Sequence, residues 1–383
     1  MQSWMSDVFI NRLAKFLPNN PVSNDEMEDY LGKIDGRPSK AKGIILRNNQ
    51  IKTRYYAIDK RTGKCTHTNY QLAAKAVEGL LDSKFKKDDI ELLACGCVAP
   101  DQLLPSHAAM VHGELKCKPI EIVSISTACC AGIQAFKYAF MSVKSGNSRN
   151  AIAVGSEKVS GWLKADKFDE EAEDLKHLEE NPIIAFEKDF LRWMLSDGAG
   201  AALMENKPNE NGISLRVDWV DILSFANQID PCMYAGCEKN DDGSLTGWAE
   251  LTPHDWATKS IFAFKQDTRL LGENIVKWGG VMWKKVCEKH HIDLDKITFF
   301  LPHLSSEFFR PKIMEELEKI GYPIASEKWF TNLTKVGNIG SASPYIMLEE
   351  LFNGGKIKKG DVIILMIPES ARFSYAYVQL TAV

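Results

Sequence analysis

The stretch "ISTACCAGIQAF", Ile125 to Phe136, sets Cys129 and Cys130 side by side just before a small Ala-Gly step. A thiol in the first turn of a helix feels unpaired backbone N–H groups and the positive end of the helix dipole, and both favour thiolate. Cys130 fits that position: Ala131 and Gly132 leave the approach uncrowded, and Ile133, Phe136 and Phe140 recur at helical spacing. Free cysteine is also among the most often buried residue types, so two structural thiols remain the alternative on this stretch alone. His303 follows the apolar run "FFLP", at the carboxyl end of an expected strand, where open α/β sheets place ligand sites. Asn338 lies in the glycine-rich turn "VGNIGSAS", where an asparagine also serves as a helix cap. A Cys/His/Asn set can activate a thiol and donate hydrogen bonds to a thioester carbonyl oxygen.

The elements that must position these residues alternate in period. Helical spacing in "AAKAVEGLLDS", "SHAAMVHGEL" and "AGIQAFKYAFMSV" is interleaved with strand-like runs "IELLACGCV", "IEIVSIS" and "NAIAVGSE". Repeated βαβ units of this kind predict a mostly parallel sheet covered by helices on both faces. The strands "DGAGAALMEN" and "ISLRVDWVDIL" are joined by the polar turn "KPNENG". The second half repeats the theme: a long helix, the strand "ITFFLPH", another helix, a small-residue turn opening "PYIMLEELF", then the strands "DVIILMI" and "FSYAYVQLTA". The pattern predicts an α/β chain of two similar halves, 1–212 with the cysteine and 213–383 with His303 and Asn338. Two stretches interrupt it, the charge-rich 162–190 and the turn-rich 225–245; they are either solvated surface or the roof of a substrate tunnel.

Composition narrows the class. With 383 residues, 45% hydrophobic and 26% charged, the chain has ordinary globular composition. A net charge of −4 and a pI near 6.1 exclude nucleic acid as the main partner. No apolar run reaches the roughly 20 residues that span a bilayer, which predicts a cytoplasmic protein without membrane attachment. Nine cysteines at irregular spacing do not form a secreted disulfide framework, and "CGC" at Cys95 and Cys97 has no second pair at zinc-ligand spacing, so neither metal nor cofactor is expected.

Taken in order, "ACCAG", "PHLSS" and "VGNIGSAS", with "APDQLLPSHAAMVHGEL", "VGSEKVS" and "LSDGAGAAL", resemble the thiolase superfamily, and within it the ketoacyl synthase III-like condensing enzymes. The resemblance covers essentially the whole chain. It implies a duplicated βαβαβ thiolase fold in α-β-α-β-α layers, a homodimer, and catalysis by Cys130 as nucleophile with His303 and Asn338. It also implies acyl thioesters of acyl carrier protein or coenzyme A as partners, in a Claisen-type condensation. Two departures stand out: Leu-Ser-Ser follows His303 in place of Gln-Ala-Asn, and "PESARFSYAYVQL" replaces a glycine-rich loop. Alignment on the following aromatic residue makes the Ala371 N–H, with that of Cys130, the oxyanion-hole donor. Lys40, Lys42, Arg47 and Arg54 are candidates for a basic carrier-docking patch, and Arg372 for a substrate contact. The segments "FLPNNPVSNDEMEDYLG", "ILRNNQIKTRYYA", "THTNYQLAA", "FLRWMLSDGAGA", "EKWFTNLTKVGNIGSAS" and "PESARFSY" resemble the dialkylresorcinol-forming ketosynthases, which join two β-ketoacyl-type thioesters and cyclise them. The alternatives are a synthase III that initiates fatty-acid or polyketide chains and a non-catalytic partner subunit. Papain-like proteases share the Cys, His, Asn chain order, but their Cys-Gly-Ser-Cys-Trp signature is absent.

Overall fold

The structure is a computed structural model and describes residues 6–168 and 190–383. Nine strands form one sheet: β1 (Phe9–Phe16), β2 (Leu92–Cys97), β3 (Glu121–Ser126), β4 (Asn150–Glu157), β5 (Gly198–Glu205), β6 (Leu215–Ser224), β7 (Ile297–Pro302), β8 (Val362–Glu369) and β9 (Ser374–Ala382). Their order is β7-β8-β9-β6-β1-β5-β4-β2-β3. The main helices are α1 (Asn69–Glu78), α2 (His107–Leu115), α3 (Ala131–Lys144), α4 (Thr268–His290), α5 (Phe309–Lys319) and α6 (Ser343–Asn353). Local chemistry sets several of their starts. Thr68 and Gln71 form a capping box on α1, Ser106 caps α2 and Asp267 caps α4, each satisfying backbone N–H groups that a helix start leaves open.

The sheet is two copies of one pattern. From the centre outward the first copy runs β1-β5-β4-β2-β3, with two antiparallel pairs followed by two parallel ones. The second runs β6-β9-β8-β7, antiparallel twice and then parallel, and a parallel bridge between Phe300 and Trp329 stands where a fifth strand would be. The copies join where β1 meets β6 through Phe9↔Arg216 and Ile10↔Leu215. The expected division at 212/213 falls in the connection between β5 and β6. The expectation of a mostly parallel sheet is overturned, since three of the pairs are parallel (β2–β3, β2–β4, β7–β8) and five antiparallel. Each copy closes with a strand that returns beside its predecessor, and β1, which the sequence reading did not identify, is antiparallel to both neighbours. Apolar periodicity reports burial but not strand direction.

Burial sorts the helices into layers. Leu72, Val77 and Val111 of α1 and α2 pack on Leu93, Ile152 and Leu203 of the first copy. Trp283, Val286, Ile313 and Leu317 of α4 and α5 pack on Phe300, Ile364 and Met366 of the second. Between the copies lie α3 and α6, whose Ile133, Phe136, Tyr345 and Leu348 share one core with Ala151 and Ala153 of β4 and with Leu365 and Ile367 of β8. Ile364 and Met366 face one core while Ile363, Leu365 and Ile367 face the other, as the two-residue period of a strand buried on both sides requires. The α-β-α-β-α fold of the thiolase class is therefore present.

The turn that opens α6 touches α3 and β4 through backbone. A Cβ on Gly132 would lie 2.1 Å from the Ser341 carbonyl oxygen, and one on Gly155 would lie 2.3 Å from the same atom. Tyr345 Oη donates to the Gly132 carbonyl at 2.7 Å, which fixes α6 on α3. A Gly132→Ala change therefore displaces main chain and is expected to cost about 1–3 kcal/mol by overpacking. Gly113→Ala, in α2 with nothing within 4 Å of its Cβ position, should be neutral or stabilising. Urea unfolding of the two variants beside the parent checks the contrast, and equal stabilities would show that the interface yields.

Candidate active site

β3 ends at Ser126 and α3 starts at Ala131, so both cysteines sit in the turn between them. Neighbouring residues in such a turn project in different directions, and only one of these thiols meets the site. Cys129 lines a narrow cavity of about 60 Å³ together with His303, Asn338, Glu157, Ser305 and Ser370. Cys130 is fully buried and does not line it: its Sγ points between β8 and β9, 3.5 Å from the Ile367 carbonyl and 3.8 Å from that of Ser374. The structure therefore does not bring Cys130 together with His303 and Asn338 as expected; Cys129 is the thiol that shares space with them.

His303 directly follows β7, and its N–H donates to the Met366 carbonyl at 2.8 Å, which ties the strand end to β8. Its side chain is buried, and burial lowers its pKa to about 4, so the imidazole is neutral near pH 7 and offers one N–H and one lone pair. Asn338 is held at both main-chain groups: its N–H donates to Met194 O, and its carbonyl accepts from Ser196 N–H, each at 2.9 Å. The Gly340 N–H donates to Asn338 Oδ1 at 2.9 Å, which fixes the amide so that Nδ2 is the end left to donate. The site thus presents one thiol and two neutral groups able to donate, drawn from both halves.

The thiols are not thiolates at rest. Burial pushes the Cys129 pKa up, and the charges of Glu369 and then Glu157 push it further; the opposing pull of its own backbone N–H is smaller. Cys130 is raised by burial, then by Glu369 and Cys129. The expectation that a helix start would favour thiolate fails here because desolvation in the core outweighs it. Glu157, at the end of β4, accepts from Val98 N–H at 3.0 Å and from Ser341 N–H at 3.2 Å, and burial raises its pKa to about 7.

Further expectations are corrected by the structure. The Cys130 N–H is engaged by Glu369 Oε2 at 3.0 Å and is not open to an oxyanion. Ala371 lines a different, wider cavity, and its carbonyl accepts from the N–H groups of Cys232 and Met233. The left-handed residue of the β8–β9 turn is Phe373, at φ 58°, and the turn residue facing the narrow cavity is Ser370. Arg372 is exposed, with Nε donating to Ile229 O at 3.2 Å, so it does not reach the site. Arg54 is fully buried, and its guanidinium donates to Asn24 Oδ1 and to Trp193 O, which removes it from any surface patch. Lys40 and Arg47 are exposed; Lys42 is half-buried beside the Trp193 ring, 3.9 Å from Glu28.

Sequence reasoning missed Glu157, Glu369 and Ser370. Each glutamate is the last residue of a strand that is otherwise apolar or small, "NAIAVGSE" and "VIILMIPE", and a carboxylate in that position is a readable signal. Of the two interrupting stretches, 169–189 lies outside the described residues. From the other, Met233, Tyr234, Ala235 and Gly236 help line the wider cavity, of about 500 Å³, with Leu103, Trp248, Trp256 and Phe262. Val98, Met233 and Phe264 line both cavities.

Comparison with known proteins agrees with this architecture. Residues 52–181 match the thiolase N-terminal domain, and residues 287–367 match the C-terminal part of 3-oxoacyl-[acyl-carrier-protein] synthase III. The beta-ketoacyl-[acyl-carrier-protein] synthase III of Clostridium perfringens is 26% identical over 352 residues, 92% of each chain. That of Aquifex aeolicus is 25% identical over 350 residues, 91% of this chain and 92% of its own. Among solved structures, the tetronic acid condensing enzyme AbyA1 superposes with a TM-score of 0.74 at 17% identity, covering 98% of this chain and 99% of that one. OleA of Xanthomonas campestris, with bound lauric acid and lauroyl-CoA, gives 0.73 at 19% over 98% and 99%. The chain belongs to the thiolase superfamily, among its ketoacyl synthase III-like condensing enzymes, and is a ketosynthase-type acyltransferase.

The two cysteines separate experimentally. Cys129→Ala should abolish the acyl adduct seen by intact-protein mass spectrometry after incubation with an acyl thioester, whereas Cys130→Ala should still be acylated. An adduct lost only in Cys130→Ala would restore the sequence-based assignment.

Proposed function

We propose that the enzyme joins two β-ketoacyl-type thioesters and closes them to a ring, a cyclohexanedione precursor of dialkylresorcinols, using Cys129 as the nucleophile. The Cys129 thiol gives up its proton and takes the acyl group of the first thioester, releasing the carrier thiol. The α-carbon of the second thioester then becomes a carbanion equivalent, by loss of a proton or of carbon dioxide, and attacks the acyl-enzyme carbonyl, returning Cys129 as leaving group. Charge develops on the second thioester's carbonyl oxygen during this step, and the His303 and Asn338 N–H donors stabilise it in a dry site far better than water would. For the tetrahedral intermediate on Cys129, the N–H groups of Cys129 and Ser370 take the place expected of Cys130 and Ala371.

The observation that carries the reading is the convergence of Cys129, His303 and Asn338 on one narrow cavity that shares Val98, Met233 and Phe264 with an apolar cavity of about 500 Å³. Two chains must be held at once for a ring to close, and a wide, aromatic-lined space beside the reacting centre suits that demand. The similarity to synthase III supports acyl carrier protein or coenzyme A as the thioester carrier, with Lys40, Lys42 and Arg47 as the remaining basic docking candidates. Incubation with two β-ketoacyl thioesters, followed by mass spectrometry of the small molecules, should yield the cyclised product. Only linear ketoacyl product would assign the enzyme to chain initiation, and failure to acylate at all would make it a non-catalytic partner. His303→Ala should still form the acyl-enzyme while losing condensation by about 10²-fold or more, as removal of an oxyanion donor does; near-parent condensation would make His303 structural.

A homodimer completes the reading. β3 is the outer strand of the sheet, Tyr138 of α3 donates to its Glu121, and Tyr138 and Met141 are left exposed. An open edge flanked by apolar side chains is a surface for pairing with a second copy. Sedimentation analysis should give about twice the 43.0 kDa chain mass, and Met141→Lys should shift it toward monomer; a parent protein that sediments as a monomer would remove the interface.

A further inference from the structure

Glu369 ends β8 and is almost fully buried, yet its carboxylate belongs to the cysteine turn of the other half. Three groups of that turn donate to it: Thr127 Oγ1 at 2.9 Å to each oxygen, Ala128 N–H at 3.1 Å and Cys130 N–H at 3.0 Å, the last two to Oε2. These donors bracket Cys129 in sequence on both sides. The residue opens the "ESARF" connection between β8 and β9.

We propose that Glu369 is a positioning residue that clamps the cysteine turn to β8 and holds the resting Cys129 thiol in an unreactive state. The inference rests on the reading of Cys129 as the nucleophile. Its first part is geometric: bonds from residues on both flanks of Cys129 fix the turn from which the Cys129 side chain lines the cavity. Its second part is electrostatic: burial pushes the Glu369 pKa up while the Cys130, Thr127 and Ala128 donors pull it back, and the ionised carboxylate opposes a second negative charge on the thiol beside it. The groups facing the thiol are Glu369 from β8, Glu157 from β4, His303 from the end of β7 and Cys130 from its own turn, with Tyr375 of β9 against Cys130. Burial of Cys129 is the larger cause of its raised pKa and Glu369 the first of the charges, ahead of Glu157.

Two substitutions divide clamp from charge. In Glu369→Gln the charge is gone, and iodoacetamide alkylation of Cys129 between pH 7 and 9 should accelerate about tenfold, the change that one pKa unit brings. In Glu369→Asp the charge stays while the shorter side chain loosens the clamp, so alkylation should not accelerate, whereas the condensation kcat should fall in both variants with KM little changed. Equal alkylation rates in the parent and in Gln and Asp variants, all folded by circular dichroism, would overturn the proposal, as would equal acceleration in both, since access rather than charge would then be responsible. Peptide mapping of the alkylated residue separates the two readings: label on Cys130 refutes the choice of nucleophile, while label on Cys129 without the Gln-specific acceleration refutes the role of Glu369. Should Glu369→Gln fail to fold, Thr127→Val removes one donor and keeps the charge; a lowered condensation kcat at unchanged alkylation supports the clamp, and parent-like condensation overturns it.

Discussion

The close approach of two backbones governs this site. The main chain of Ser341 passes so near Gly132 and Gly155 that neither position has room for a Cβ, and Ser341 Oγ donates to the carbonyls of Gly96 and Ser156 at 3.2 and 3.4 Å. Those partners come from two strands and one helix of the first half, whereas Ser341 leads into the central helix of the second. Once that contact is made, the turn before α3 and the turn before α6 lie side by side. Cys129 precedes Gly132 by three residues, and Asn338 precedes Ser341 by the same number. The cysteine and the asparagine are thereby brought to one cavity by a constraint that neither of them forms, and His303 arrives by the carboxyl end of β7 beside them.

The same burial that assembles the site sets its electrostatics, and magnitudes decide the contest. A helix N-terminus contributes roughly 0.3–1 kcal/mol to an adjacent anion, which is less than one pKa unit. Desolvation of a fully buried group shifts a pKa by up to about 3–5 units. Cys130, fully buried, feels this in full, and the half-buried Cys129 feels it with two carboxylates added on the unfavourable side, so the thiol form prevails. His303 obeys the same rule with the opposite sign, because burial removes the charged imidazolium and leaves a neutral donor. A site that is uncharged at the thiol and at the imidazole suits chemistry in which charge appears on a substrate oxygen during reaction, since the donors are already oriented and no water must be reorganised.

Much of this was legible in the sequence, for identifiable reasons. Strand and helix periods located β2 through β9 and the six helices, because buried strands read as apolar runs and half-buried helices as stripes. His303 and Asn338 were found because each sits at an element end, where a polar residue beside apolar or small neighbours stands out. Strand direction, by contrast, leaves no periodic trace, so the antiparallel inner strands went unread. Which of Cys129 and Cys130 meets the cavity was not legible, because a motif gives spacing but not rotation about a turn. Arg54 failed for another reason. A cation in a polar segment reads as surface, yet long-range packing of Trp193 and Asn24 against it closes it off.

The narrow cavity and the wider one are built from different parts of the chain. Cys129, His303 and Asn338 stand at corresponding ends of a duplicated strand-and-helix unit, where the sheet pairing fixes them. The wider cavity instead takes Met233, Tyr234, Ala235, Trp248, Trp256 and Phe262 from the chain between β6 and α4, which adds short strands, turns and the short helix Pro253–Thr258 outside the main sheet. Substitutions there alter volume and shape without touching the backbone contact at Gly132. Such a division leaves the walls of the wider cavity free to vary while Cys129, His303 and Asn338 stay in place.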